Sequence, residues 1–217
     1  MDILEITLQT DNLTETEHFY SDILGLENIR KERYFVSYAA GQSTLTFIQS
    51  DKLNPNYHFA FNIPKNKLEE SISWITEKVD LIKNPENGIV SNFEGWNAKA
   101  IYFYDNNGNI LEFIARFDLD NNSEGPFSSS SILSISEIGM VTDSPMKLSD
   151  YIMEEYKLGI YEKGSRTEKF VTLGNSDGLF IIAATNRIWY PTAQPARKSF
   201  SKVRISNGDK ILDMAVF

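Results

Sequence analysis

The chain contains no cysteine, which excludes disulfides, thiolate nucleophiles and cysteine-ligated zinc. Histidine is nearly as scarce, with 2 residues in 217, so imidazole chemistry must run through His18 or His58. Positive charge is also in deficit. Against 30 acids stand 21 lysines and arginines, a net charge of −9, which disfavours nonspecific binding to nucleic acid or an anionic membrane. Long apolar runs are missing: Gly178-Leu-Phe-Ile-Ile-Ala-Ala184 is strand-sized, well short of the ~20 residues of a membrane helix. The opening Met1-Asp-Ile-Leu-Glu5 carries no basic segment of the signal-peptide kind. No Gly-rich phosphate loop, Gly-x-Ser-x-Gly elbow or basic aromatic stripe is present. These absences lead to the expectation of a cytoplasmic protein with a small-molecule substrate and no nucleic-acid or membrane partner. A hydrophobic content of 41% suffices for a packed core.

What is present begins with Tyr102-Phe-Tyr-Asp-Asn-Asn-Gly-Asn-Ile-Leu-Glu-Phe-Ile114. Asn107-Gly108 supplies the positive-φ turn of a short hairpin. Alternation then sets Ile110, Glu112 and Ile114 on one face and Leu111, Phe113 and Ala115 on the other. A carboxylate flanked by apolar residues is costly to bury unless it meets water, a donor or a metal. His58-Phe-Ala-Phe-Asn-Ile63 repeats the design, with His58, Ala60 and Asn62 opposite Phe59, Phe61 and Ile63. Near the N-terminus, Glu5, Thr7 and Gln9 alternate with Leu4, Ile6 and Leu8. If these second faces line one concave sheet, Glu5, His58 and Glu112 converge on a divalent ion.

Ile3-Leu-Glu-Ile-Thr-Leu8, Glu17-His-Phe-Tyr20, Ile23-Leu-Gly-Leu26, His58-Phe-Ala-Phe61 and Asp105-Asn-Asn-Gly-Asn-Ile-Leu-Glu112 together resemble the vicinal-oxygen-chelate superfamily. That group includes glyoxalases, extradiol dioxygenases, epimerases and antibiotic-resistance proteins. The resemblance implies an α+β fold of paired βαβββ modules, whose mixed sheet curls around a cavity. It also implies metal ligands on the first strand of each module and the last strand of the second, here Glu5, His58 and Glu112. Three positions depart from the usual pattern. Glu5 stands where His or Gln is usual, Asn106 stands where Pro follows the turn Asp, and Thr46 occupies the fourth-ligand position of glyoxalases.

The chain repeats itself. Residues 1–117 read as a glyoxalase-like domain of two paired modules, with Thr14/Glu17 and Asn66/Glu69 as capping boxes for their helices. Residues 118–131, rich in Asp, Asn and Ser, read as a linker. Residues 132–217 read as a third, unpaired βαβββ-like module. In it Ser136-Glu-Ile-Gly-Met-Val-Thr-Asp143 mirrors Leu4-Glu-Ile-Thr-Leu-Gln-Thr-Asp11, placing Glu137 opposite Glu5. That recurrence favours a structural role for both acids. An unpaired module has an open edge, so it is expected either to cover the flank of the paired domain or to meet its copy in a homodimer, the second being favoured.

The functional expectation is a metalloenzyme of this superfamily, an isomerase or lyase ahead of a ring-cleaving dioxygenase. Its small oxygenated substrate would be chelated to Mn(II), Zn(II) or Fe(II). Glu5 and Glu112 are the catalytic candidates, and Glu5, His58 and Glu112 the metal candidates. Tyr102, Tyr104, Asn62 and Arg187 are the substrate-binding candidates. Plainer readings stand beside each: Glu5 as an acid paired with a base, His58 as a hydrogen-bonded cavity residue, the tyrosines as packing groups with one wet end. Arg187 suits an anion clamp or a subunit contact equally. The alternatives to an enzyme are a metal-free binding protein of the bleomycin-resistance type and a structural or regulatory module.

Overall fold

The computed structural model describes residues 1–51 and 55–216. The first module comprises β1 (Asp2–Thr10), α1 (Leu13–Glu17) continued by a π-helical segment (His18–Ile23), β2 (Asn28–Glu32), β3 (Phe35–Ala40) and β4 (Ser43–Gln49). The second comprises β5 (His58–Ile63), α2 (Leu68–Thr76), the short β6 (Leu81–Ile82) and β7 (Ser91–Phe93), β8 (Ala98–Tyr104) and β9 (Ile110–Arg116). The third comprises β10 (Ser134–Thr142), α3 (Pro145–Tyr156), β11 (Arg166–Thr167), β12 (Phe170–Asn175) and β13 (Gly178–Ala184). A terminal hairpin, β14 (Ser201–Asn207) and β15 (Lys210–Val216), follows. Within each module the first strand runs parallel to the last, as β1·β4, β5·β9 and β10·β13. All strands join one mixed sheet, so the α+β class and the βαβββ repeat stand as expected.

Strand phase follows the alternation of the sequence. Leu111, Phe113 and Ala115 of β9 enter the main core together with Phe59, Phe61 and Ile63 of β5. Ala60, Ile110 and Ile114 enter a second cluster on the opposite face. Phe113 touches the rings of Phe61, Phe103 and Phe127 with centroids 5.0–6.1 Å apart, burial that contributes roughly 2–3 kcal/mol for such a side chain. The Asp105–Asn109 turn is closed by its own acid. Asp105 Oδ1 accepts from the backbone N–H groups of Asn107 and Asn109 at 2.9 and 2.8 Å. Gly108 supplies the positive φ of 73°.

Two helix starts differ from the capping boxes expected. α1 is capped by Asn12, whose side chain accepts from Glu15 N–H at 3.1 Å, because Asn outcompetes a threonine two residues on. α2 starts without a side-chain cap. The Asn66 amide is drawn instead into a reciprocal pair with Ser123 at 2.9 and 3.0 Å. Pro145 does open α3.

The partnership of the modules differs more. β5 of the second module pairs antiparallel with β10 of the third, through Asn62↔Ser134, Phe61↔Ile135, Ala60↔Glu137 and Phe59↔Ile138. β1 of the first module pairs with β14 over Asp2–Leu8 and meets β10 only at Ile3↔Ile135. The curled pair is therefore modules two and three, not one and two, and the third module is not left unpaired. Edge pairing is a tertiary choice among chemically similar first strands. Consequently the open edge that motivated a homodimer is covered within the chain. Residues 118–131 are also better anchored than a free linker. Phe127 is buried, its N–H bonds Glu70 at 3.0 Å, and Asn121 accepts from Lys65 N–H at 2.9 Å.

Candidate metal centre

The paired sheet of modules two and three curls around a cavity of about 370 Å³. His58 from β5, Glu112 from β9 and Glu137 from β10 line it. Each offers a ligand atom, and these atoms lie within 4.8 Å of one another. All three side chains are buried. Among the described residues this is the one cluster of its kind.

Register explains the convergence. His58 sits beside Ile110 and Ala60 beside Glu112 on the parallel β5·β9 pair, so His58 and Glu112 share a face. Across the antiparallel seam Ala60 lies beside Glu137. A register slip between Ile135 and Glu137 turns the acid onto the same face. The small Ala60 leaves the space into which the three longer side chains project.

His58 donates from Nδ1 to the Ile110 carbonyl at 3.1 Å, which leaves the Nε2 lone pair for the cavity. Burial lowers its pKa to about 4, with Arg187 acting in the same direction. The imidazole is therefore neutral at pH 7. Its Nε2 lies 3.6 Å from Glu112 Oε2, an ion-pair distance only for a charged ring, so this contact is not a salt bridge.

Glu112 and Glu137 are both held above the ordinary carboxylate range, primarily by desolvation. For Glu112 the negative charge of Glu137 adds to the effect. Arg116 opposes it, forming a buried ion pair with Glu137 and donating from Nε to Ser136 Oγ at 3.2 Å. Its guanidinium lies 5.6 Å from the centre of the Trp96 ring. One arginine thus answers two buried acids. No lysine or arginine among the described residues lies within ion-pair distance of Glu112, whose direct cross-strand neighbour is Tyr102.

The donor set fits a divalent cation. A neutral imidazole nitrogen with its tautomer already fixed stands beside two carboxylates that lack full compensation, and a cation between them would relieve the desolvation that raises both.

The residues expected from sequence divide. His58, Glu112, Tyr102 and Arg187 line this cavity. Glu5 does not. It lies beside Arg204 on the β1·β14 seam, 3.6 Å from Nη1, and accepts from Thr46 Oγ1 at 3.1 Å. Arg204 stands opposite Glu5 on this seam, where on the other seam the small Ala60 stands opposite Glu137. Asn62 faces a separate cleft, where its amide donates to Ser134 Oγ and the Asp177 carbonyl, each at 3.2 Å. Tyr104 is exposed at the strand end and lies outside the cavity. His18 is a surface residue paired with Asp22 at 2.8 Å. Glu137 and Arg116 were missed as site residues. The signal the sequence offers for Glu137 is its repeat of Glu5, which by itself fits a structural acid equally well.

The cavity wall is aromatic. Phe93 ends β7 and Trp96 lies in the turn between β7 and β8, while Trp189 and Tyr190 come from the loop after β13. Trp189 lies 5.1 Å from the His58 ring. It fits there because Gly139 has no side chain: a Cβ at that position would meet the indole at 3.0 Å and the His58 carbonyl at 3.1 Å.

No protein family and no curated protein matches this sequence. Among solved structures the chain is similar to a putative dioxygenase from Bacillus subtilis, at 17% identity over 84% of this chain with a TM-score of 0.58. It spans 63% of that structure's length. It is also similar to a glyoxalase/bleomycin resistance protein/dioxygenase from Alicyclobacillus acidocaldarius, at 19% identity over 54% of this chain and 92% of that one, with a TM-score of 0.45. A third is FosX, the fosfomycin resistance protein of Listeria monocytogenes, solved with Mn(II) and sulfate. It shares 22% identity over 52% of this chain and 87% of its own, with a TM-score of 0.41. At such identities the likeness is one of architecture. The fold is that of the Bacillus subtilis structure, titled a putative dioxygenase.

Proposed function

We propose that the chain is a metal-dependent enzyme acting on a small oxygenated molecule in the cavity between modules two and three. His58 Nε2 and the carboxylates of Glu112 and Glu137 hold the ion. The observation that carries this reading is the convergence of these three buried groups within 4.8 Å. One nitrogen and two oxygen donors suit Mn(II), Zn(II) or Fe(II). When bound, the metal supplies Lewis acidity toward two oxygens of the substrate and favours negative charge developing there.

The chain's own residues supply the rest. Arg116 holds the Glu137 carboxylate in place and bears part of its charge. The Ile110 carbonyl fixes the His58 ring. Tyr102 presents its phenol toward Glu112 from the neighbouring strand, a donor suited to steadying a substrate oxygen. Ile181 of β13 lines the cavity at the position related to Glu112 by the module repeat. Its apolar side chain leaves three protein ligands rather than four, and hence coordination positions for substrate. Isomerisation or lysis is favoured over ring-opening oxygenation, because the latter's usual Fe(II) triad has two histidines and one carboxylate.

The test is metal content and Mn(II) titration of the purified protein. Near-stoichiometric binding is expected, with loss in His58→Ala and Glu112→Gln and no change in Glu5→Gln. Wild-type protein that takes up no divalent metal would overturn the reading and favour a metal-free binding protein of the bleomycin-resistance type.

A further inference from the structure

The cavity beside the three acid and imidazole groups has a second chemical character. Its rim is a chain of rings in contact. Phe93 meets Trp96 at 6.3 Å and Tyr190 at 5.8 Å, and Tyr190 meets Tyr102 at 5.9 Å. Tyr102 meets His58 at 6.3 Å, and His58 meets Trp189 at 5.1 Å. Rings so arranged offer flat faces and edges, which favour a flat ligand over a puckered one of equal size.

Within this ring wall stands one half-buried cation, Arg187. Its guanidinium lies 4.3 Å from the centre of the Phe170 ring, and Nη1 reaches only its neighbour's carbonyl, Ile188 O, at 3.3 Å. No carboxylate among the described residues is within ion-pair distance of it. In a chain of net charge −9, a partly desolvated guanidinium without an acid partner is unusual. Stacking on Phe170 fixes the fork and leaves its remaining donors free for a planar anion. Arg187 and His58 line the same cavity.

From the ring wall and the unpaired guanidinium we infer that the substrate is a flat aromatic acid, its ring held among the Trp189, Tyr102 and Tyr190 side chains and its carboxylate paired with Arg187. This rests on the cavity being the substrate site, as proposed above, and adds the class of molecule that enters it. A cavity of about 370 Å³ accommodates one or two fused rings. Arg187 then acts in binding and orientation, turning the opposite edge of the ring toward His58 and Glu112.

The probe is 2-naphthoate, whose single carboxylate requires no metal, titrated into the full chain while tryptophan fluorescence is followed. The comparisons are 2-naphthamide, flat but neutral, and cyclohexylacetate, anionic but not flat. Binding of 2-naphthoate at least about tenfold tighter than either comparison is expected, as one charge-assisted hydrogen-bonded pair supplies. Arg187→Gln should reduce 2-naphthoate to the affinity of 2-naphthamide and leave 2-naphthamide unchanged, with Arg187→Lys between. The unchanged 2-naphthamide also verifies that the variant is folded. Equal affinity for acid and amide, or indifference of 2-naphthoate to Arg187→Gln, would overturn the inference. Running the titration with EDTA separates the two readings. Discrimination that persists in a chain unable to bind Mn(II) sinks the metal reading alone, and Mn(II) binding without discrimination sinks this one alone.

Discussion

Glu112 and Glu137 are both buried acids on the same cavity wall, yet they should respond oppositely to loss of charge. Glu137 is ion-paired with the fully buried Arg116. Glu137→Gln strands that guanidinium, a loss of roughly 3–5 kcal/mol for a broken buried pair. Glu112 is desolvated and repelled by Glu137, so Glu112→Gln should stabilise the metal-free chain at pH 8, by on the order of 1 kcal/mol. The direction follows from proton linkage. Both carboxyls are raised in the folded state, so the folded chain binds more protons than the unfolded one above the ordinary carboxylate range. Their stabilising contribution is present at low pH and is lost as pH rises through the folded values. His58 acts in the opposite sense: lowered from 6.5 to about 4, it stabilises above 6.5 and that contribution is lost as pH falls toward 4. Metal-free protein should therefore be most stable in mild acid, and added Mn(II) should extend that stability upward in pH. Thermal melts of the wild type and both variants, with EDTA and with Mn(II), check this. A Glu112→Gln chain less stable than wild type at pH 8 in EDTA would contradict it.

At the scale of elements, the Asp105–Asn109 turn holds more than a hairpin. Besides its two backbone donors, Asp105 accepts through Oδ2 from Asn109 Nδ2 at 2.8 Å and from the Tyr20 hydroxyl at 2.7 Å. Tyr20 lies on the helical segment of the first module, so one buried carboxylate couples that helix to the β8–β9 hairpin that carries Glu112. Thr16 joins the same seam, accepting from Asn106 and Asn107 at 3.2 Å each. Asp105→Ala leaves several of these donors unsatisfied, and a loss of about 2–4 kcal/mol is expected in urea denaturation. Tyr20→Phe should cost about 1 kcal/mol. The double variant should fall short of the sum, because the first change already removes the partner lost in the second. Additive effects would indicate that the hydroxyl bond contributes nothing.

For the whole molecule, the consequence of the β5·β10 seam is that residues on both sides of 118–131 form one sheet. Protease cleavage within that segment should leave two fragments that elute as one species and retain Mn(II). The long-range strand pairs, not the connecting peptide, hold them together. Separation of the fragments without denaturant would show that the seam is weaker than its register implies. Among the described residues no helix is long and apolar enough to cross a membrane. The terminal hairpin completes the first module as the second completes the third. β14 pairs with β1 as β5 pairs with β10, and each pairing slips by a residue just before a glutamate, Glu5 or Glu137. Opposite Glu5 stands Arg204, and opposite Glu137 stands Ala60. The repeat thus yields one cation-filled seam and one cavity.

Local pattern was enough to determine the strands around the site and their phase. The turn at Asn107-Gly108, the alternation through Glu112 and the apolar face of His58-Phe-Ala-Phe61 depend on neighbours in sequence, so composition and period reveal them. For the same reason His58, Glu112 and Tyr102, which line the cavity, are legible as candidates from the sequence. What the tertiary structure decided was partnership. Ile3–Thr10 and Ser134–Thr142 carry nearly the same pattern, with a glutamate at the same place, and no local signal separates Glu5 from Glu137. Which of them joins His58 depends on which first strand docks on β5. That choice is made by register, by the size of the residue opposite and by cores assembled from segments far apart in the chain. Arg116 was hidden for a related reason, since its role exists only once β10 brings Glu137 to it.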